Sequence, residues 1–454
     1  MLVRKFGGTS MGSEGSLKVV TDIVKSHRGK QAVVVSAMSG VTDELIAATN
    51  AALANKPVIL EKTIVNLAAK HTDTIKKTIR NVATQIDVIG YIDCVLKDLR
   101  NFLKAIGEIG ELSTRSRDKI LATGERLSSG MLAGILSDHG VPAEQIDFEK
   151  AIPDSFECAN HDFYLAAEKI FARHVKKIIQ KKKTPIITGY FGYVPGGMLA
   201  AVGRGYSDFC AALVAAGMRA KNLEIWTDVS GILTADPRKV SKARVVDLIS
   251  CEAAAELAHF GAKVLHPQAV HPATRAKIPV WIKNTFDPKA HGTKIVSVIK
   301  KPKRIFTSIT SKKGQTVVNI ASYRMLLQHG FLAKIFKTFV SYNIPIDVVS
   351  TSEVSVSVTI EDTNCLPEIV AELRPFAKIT VSPKKAIVCL VGLGMKDKKG
   401  VAGEVFSVIA KVGISADMIS QGASEINITF VVDESEADQA LKILHKKFFE
   451  NGKI

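Results

Sequence analysis

The chain has 454 residues, 46% hydrophobic and 23% charged, which suits two or three globular domains and excludes disordered, collagen-like and small disulfide-scaffold classes. Its net charge of +17, from 61 basic and 44 acidic residues, admits a nucleic-acid surface or a bias toward small anionic ligands. The basic runs at 181–183, 300–304 and 396–399 are short, scattered and free of interleaved aromatics, so they read as solvated loops and no nucleic-acid partner is expected. Six cysteines never fall closer than 24 residues apart, which leaves no CxxC pair for zinc or redox chemistry. They read as free buried thiols of a reducing compartment. With no signal-like leader and no apolar run of membrane-spanning length, a cytoplasmic protein without a membrane partner is the expectation.

In chain order, short apolar runs at 2–6, 32–35, 185–187, 223–226 and 279–282 alternate with longer amphipathic stretches. Such runs suit strands buried on both faces of a mostly parallel sheet between helical layers, an α/β architecture. Each run ends in a small polar loop: Gly7-Gly8-Thr9-Ser10, 36–43, 188–192, Thr227-Asp228 and Asn284-Thr285. Ligands of open α/β sheets bind outside the carboxyl ends of the strands, so the loops point to one composite site. Residues 60–120 read as polar helices, the longest over 81–103.

The character changes after 300–304, where a domain boundary is expected. Beyond it Gly330, Phe336 and Asp347 recur 70 residues later as Gly400, Phe406 and Asp417, and Ser352-Glu353 recurs 72 later as Ser424-Glu425. Each copy begins with helical spacing (Phe331, Ile335, Phe339) and continues with strand alternation (Val354, Val356, Val358, Ile360). A helix packed on a small antiparallel sheet is expected twice.

Gly7-Gly8-Thr9-Ser10, between a strand and a helix, is either a phosphate cradle or a turn that needs glycine for its geometry. No Walker P-loop and no GxGxxG occur. The segment 8–12 also satisfies the GxSxG pattern of serine hydrolases, with His266 or His271 as a base. Position argues against an elbow, because only one strand precedes Ser10. Lys5, ending a buried strand, either snorkels to a rim or meets an anion. Gly203-Arg204-Gly205-Tyr206-Ser207-Asp208 groups a guanidinium, a hydroxyl and a carboxylate between glycines, ahead of the apolar run 209–216.

Taken together, Lys5-Phe6-Gly7-Gly8-Thr9-Ser10, Thr123-Gly124-Glu125, Gly203-Arg204-Gly205, Ser207-Asp208, Trp226-Thr227-Asp228-Val229, Asp236-Pro237-Arg238 and 260–267 resemble the aspartokinase family, in family order and over nearly the whole chain. The resemblance implies an amino-acid-kinase fold over 1–300 and two ferredoxin-like ACT regions at 305–380 and 386–454. In that family the first ACT unit is commonly inserted within the second, which would join 306–311 to the latter. The implied reaction is ATP-dependent phosphorylation of the aspartate side-chain carboxylate, the first step toward lysine, threonine and methionine. By the same resemblance Lys5 and Asp208 are catalytic, with the Gly7-Gly8 amides assisting. Thr42, Glu125, Arg204 and Ser207 bind aspartate, Arg204 at the α-carboxylate and Glu125 at the ammonium. Gly7, Gly8, Ser10, Thr227, Asp228, Asp236, Arg238 and Lys263 bind ATP, with Mg²⁺ on the phosphates and no residue assigned as a metal ligand. The stretch 347–353 is similar to lysine-sensitive members, implying an effector site of Met325, Gln328, Phe331, Leu332, Ile346, Asp347, Thr351, Ser352 and Glu353, and pairing of ACT units into a homodimer or larger oligomer. Tyr206 departs from the glycine usual in Gly-Arg-Gly-Gly-Ser-Asp, and Leu233 from a tyrosine. Alternatives are another amino-acid kinase, a catalytically silent lysine sensor and the Ser10 hydrolase.

Overall fold

The computed structural model describes residues 1–149, 151, 158–190, 192, 194–203, 205–261, 267–300, 302, 304–325, 329–395, 398–422 and 426–450. Arg204, Lys263 and Gln328 lie outside them. The chain divides into two compact units, one of residues 1–232, 247–251 and 264–298, the other of 233–246, 252–263 and 299–454.

The first unit is built on an eight-stranded sheet. Its strands are β1 (Leu2–Phe6), β2 (Gln31–Val35), β3 (Ala143–Ile146), β4 (Thr184–Thr188), β5 (Asn222–Thr227), β6 (Leu248–Ser250), β7 (Val280–Asn284) and β8 (Thr293–Val296), in the order β3-β4-β2-β1-β5-β7-β8-β6. All neighbours are parallel except β7 and β8. The five runs read from the sequence are β1, β2, β4, β5 and β7; the sequence reading omitted β3, β6 and β8, which are short and carry weak apolar signals. Every residue of β1 and β2 is buried, including a charge: Arg4 bonds Gln31 Oε1 at 2.7 Å, Ile23 O at 2.9 Å and Glu224 Oε2 at 3.0 Å. Full pairing is what lets a guanidinium sit inside a strand. Two long helices, Pro57–Thr78 and Val82–Ile109, fill the polar region between β2 and β3.

The second unit carries one six-stranded antiparallel sheet of β9 (Ser308–Ala321), β10 (Val349–Thr351), β11 (Ser355–Ile360), β12 (Lys378–Val391), β13 (Met418–Ser420) and β14 (Asn427–Asp433), ordered β10-β11-β9-β12-β14-β13. The two copies of the repeat therefore share a continuous sheet instead of forming separate small ones. The two 14-residue strands β9 and β12 run through both copies, with register shifts near Lys385. Residues 308–312 pair with 387–391, so the start of β9 belongs with the second copy. Two apolar clusters follow. One joins Phe306, Ile309, Val388, Val405, Phe430 and Leu444; the other joins Val318, Phe331, Phe339, Val358, Ile360 and Leu373. The helices Phe331–Ser341 and Val401–Ala410 each start after a left-handed glycine, Gly330 and Gly400, where a side chain would be strained.

The segment 233–246, expected within the first domain, belongs to this unit: Ala235 and Val240 sit in the first cluster and Thr234 O accepts from Ile309 N at 2.9 Å. The thiols also differ from expectation. Cys210 and Cys389 are buried, but Cys94 and Cys158 are exposed. Among the described residues no helix is long and apolar enough to cross a membrane.

Candidate active site

The loops at the carboxyl ends of β1, β2, β4, β5 and β7 knit together through backbone bonds. Gly7 N donates to Trp226 O at 3.0 Å, Ser36 N to Phe6 O at 3.0 Å, Gly189 N to Val35 O at 2.9 Å and Thr285 N to Thr227 O at 2.8 Å. Parallel neighbours end level with one another, so their loops meet. Small residues make the contact close: a Cβ on Gly189 would lie 2.5 Å from Ser207 Cβ, and one on Gly124 2.7 Å from Ala37 Cβ. Gly124 thereby brings the helix Thr114–Asp138, with Glu125, against the β2 loop.

Lys5, penultimate in β1, reaches Asp208 Oδ1 at 2.7 Å, with side-chain exposures of 9% and 13%. Asp208 stands in the first turn of the helix Tyr206–Gly217, which starts after left-handed Gly205. Ser207 Oγ and Ser36 Oγ are 2.9 Å apart, and Ser36 O accepts from Ser128 Oγ at 2.8 Å. Thr42 lies in the first turn of the helix Val41–Leu53, which starts after left-handed Gly40. The structure thus brings Lys5, Asp208, Ser207, Gly7 and Gly8 to one strand-end cluster, with Glu125 beside it.

Glu125 is fully buried, with the Ala37 amide and the Tyr206 hydroxyl beside its carboxylate but no well-aligned hydrogen bond to either oxygen among the described residues. Burial lifts its pKa to about 7, opposed by the nearby Ala37 amide, the Tyr206 hydroxyl and Lys5. The Cys210 thiol and the Tyr190 and Tyr206 phenols face the same carboxyl, each pushed up by its own burial first and then by Glu125's charge or, for Tyr190, by Asp118 ahead of it. An unpartnered buried carboxylate is costly alone and is suited to a cation. Tyr206 stacks edge-on against Tyr190, at 4.9 Å between centroids. Tyr190 in turn hydrogen-bonds Asp118, which also accepts from Met198 N at 2.9 Å. Sequence reading missed the Tyr190–Asp118 support, since 72 residues separate the partners and no motif links them.

Two of the candidates already have partners. The Gly7 amide is spent on Trp226 O, whereas among the described residues no acceptor takes the Gly8 amide, so only Gly8 is free to donate to a ligand. Ser10 is fully buried, its Oγ 2.7 Å from Thr285 Oγ1 and 3.4 Å from Trp226 O. A hydroxyl so held, and without a histidine partner among the described residues, is a loop tie and neither a nucleophile nor a free ligand for phosphate.

Of the remaining nucleotide candidates, Thr227 Oγ1 donates to the exposed Asp228 at 3.1 Å. In the second unit Arg238 forks onto Asp236, Nε–Oδ1 at 3.0 Å and Nη2–Oδ2 at 2.8 Å, which holds the carboxyl below its usual range. Among the effector candidates, Phe331 is buried, Met325 and Ile346 pack on its cluster, and Leu332, Thr351, Ser352 and Glu353 are exposed. Ser352 Oγ lies 2.8 Å from Ser355 Oγ. Asp347 is not free: Lys312 Nζ lies 2.6 Å from Oδ2 and His259 Nε2 3.4 Å from Oδ1. Its repeat counterpart Asp417 meets Lys385 Nζ at 2.6 Å.

The sequence profile of the amino acid kinase family matches residues 1–284, and that of the ACT domain matches 388–448. The chain is 38% identical to the aspartokinase of Schizosaccharomyces pombe, over 99% of this chain and 93% of that one. The chain belongs to the aspartokinase family. It is also 36% identical to chloroplastic aspartokinase 1 of Arabidopsis thaliana, over its whole length and 81% of the relative. Among solved structures, E. coli aspartokinase III in complex with lysine and aspartate in the T-state superimposes with a TM-score of 0.82 at 32% identity, over 99% of this chain and all of that one. The same enzyme with aspartate and ADP, in the R-state, gives 0.78 at 32% identity with the same coverage. The chain is an aspartate kinase, and its reaction is ATP-dependent phosphorylation of the side-chain carboxylate of L-aspartate.

Proposed function

We propose that Lys5, held by Asp208, stabilises the charge that develops on the transferring phosphoryl group, with the Gly8 amide beside it. The acceptor carboxylate is already ionised at neutral pH, so the site needs no strong base. Catalysis reduces to bringing two anions together and compensating their charge. The buried Lys5–Asp208 pair at 2.7 Å carries this reading. Glu125 receives the substrate ammonium, Arg204 its α-carboxylate, and Thr42 and Ser207 the reacting end. Thr227, Asp228, Asp236, Arg238 and Lys263 hold the nucleotide. Mg²⁺ would arrive on the phosphates of ATP, and no residue is assigned as its ligand. When bound there, Mg²⁺ offsets phosphate charge.

The regulatory reading is a pair of ACT units within residues 299–454, exchanging the start of β9 with the second copy, and a lysine site near Asp347. The repeat, the two apolar clusters and the paired aspartates support it. In E. coli aspartokinase III both lysine and aspartate are bound in the T-state form. Lysine inhibits only if it binds one arrangement of a homodimer or larger assembly more tightly. Lys312 Nζ occupies the carboxylate that the effector ammonium would take, so lysine must displace it. A cytoplasmic location accords with the absence of paired cysteines. The direct test is ATP consumption with aspartate, glutamate or no acceptor, with hydroxylamine trapping of the acyl phosphate. Consumption without trapped product from aspartate would remove the acceptor assignment.

A further inference from the structure

Outside the strand-end cluster, the described residues include buried titratable groups with no part in the chemistry above, and one of them sits in a network of its own. His445, at the end of the helix Ala437–His445, is fully buried, with Nε2 2.9 Å from Thr234 Oγ1 and Nδ1 3.2 Å from Glu450 Oε1. Its ring stacks on Phe449 at 4.9 Å and 15°. Hydroxyl, imidazole and carboxylate follow the order of a nucleophilic triad, but Thr234 is only 3% exposed and no substrate can reach its oxygen. The arrangement holds something in place.

What it holds is the neck of a loop. Thr234 N donates to Arg244 O at 2.9 Å, and Arg244 N donates to Thr234 Oγ1 at 3.1 Å, while Leu233 bridges Val245. The Glu450 carboxylate can only accept, so Nδ1 carries the ring proton and donates to it. A neutral ring then leaves Nε2 as the acceptor of the Thr234 hydroxyl, whose oxygen takes the Arg244 amide. Burial first, against the pull of Glu450, keeps the imidazole below its ordinary pKa and so neutral. The other side of the neck is tied to the same end of the chain: Lys242 Nζ lies 2.9 Å from Glu450 Oε2, and Arg244 bonds Phe449 O. At the tip of this loop stand Asp236 and Arg238, the latter side chain 88% exposed.

We propose that His445 is a positioning residue for the nucleotide, fixing through Thr234 the turn that presents Asp236 and Arg238. The C-terminal helix of the regulatory sheet then sets how much of the population holds the turn ready for ATP, and a turn that is ready only part of the time weakens apparent affinity in proportion. The inference rests on the nucleotide role of Asp236 and Arg238 proposed above.

The test compares variants of the full-length enzyme. Gln places its amide where Nε2 stands and keeps an acceptor for Thr234, whereas Asn mimics Nδ1 and loses it. His445→Asn should raise the ATP KM about five- to tenfold, as for one lost buried hydrogen bond, and Thr234→Val, which also strips the acceptor from the Arg244 amide, by at least as much, with kcat and the aspartate KM near the parent's. His445→Gln should stay near the parent, and the His445→Asn/Thr234→Val double variant should be no worse than Thr234→Val alone. Should His445→Asn fail to fold, Thr234→Val with His445→Gln carries the same comparison. Arg238→Ala separates the two layers. If it leaves the ATP KM unchanged, the nucleotide role of the turn is wrong. If it raises the ATP KM while Thr234→Val does not, or if both substrates' KM values rise together, the positioning role is overturned.

Discussion

The proposed role of Glu125 in holding the substrate ammonium would come at the expense of folding, and Glu125→Gln separates the two effects. Burial gives its carboxyl a pKa of about 7 in the folded chain against 4.5 when solvated. In this interval the unfolded chain releases a proton that the folded chain retains. Ionisation therefore opposes folding: the penalty is absent below about pH 4.5, grows through the interval and is complete above about pH 7. Its size at pH 8 is about 3 kcal/mol. Glutamine keeps the shape and removes the charge, so the variant should melt higher than the parent at pH 8, on the order of 5 °C, with the difference gone near pH 4.5. The same change deletes the ammonium's partner and should raise the aspartate KM by about thirtyfold or more. In the parent, kcat/KM for aspartate should climb as pH rises through about 7 and then level off, and the variant should lack that limb. Thermal melts at both pH values, with coupled kinetics from pH 6 to 9, read all three. A variant that melts no higher at pH 8 and keeps both the parent's KM and its pH limb refutes the reasoning.

Three further outcomes are expected. Lys5→Ala should lower kcat by about a hundredfold or more while the melting profile stays intact, as for loss of a preorganised charge, and near-normal turnover would remove the assignment. Lys312→Met frees Asp347 of its resident ammonium, so lysine should inhibit at roughly tenfold lower concentration, whereas Asp347→Ala should weaken inhibition in either background; inhibition curves that do not move would take Asp347 out of the effector site. Ser10→Ala should cost about 1 kcal/mol of stability through the unpartnered Thr285 hydroxyl and retain phosphorylation, and a fluorophosphonate probe that labels Ser10 in the parent would contradict its burial.

Local order of residues was enough to place the five central strands, the strand-end loops and the repeat, because buried parallel strands are continuous apolar runs and a helix-then-strand alternation is visible at a fixed offset. It was also enough to single out Lys5, Ser207 and Asp208, since each stands beside a glycine turn or opens a helix, whereas Glu125, inside the helix Thr114–Asp138, was marked only by the family resemblance. Pairing across the chain was another matter. Nothing in the order of residues says that β9 and β12 run through both copies, since strand alternation is the same whichever neighbour a strand takes. Nor does it say that the Gly7 amide is consumed by Trp226, or that Lys312 already occupies Asp347. Those partners are brought together by packing between segments far apart in the chain. The same holds for the pKa of Glu125: the family resemblance marks it as a binding group, but its burial and raised pKa come from helix Thr114–Asp138 closing on the β2 loop at Gly124. Burial is a property of the assembled interior, and the cost of charge there depends on every element that excludes water from it.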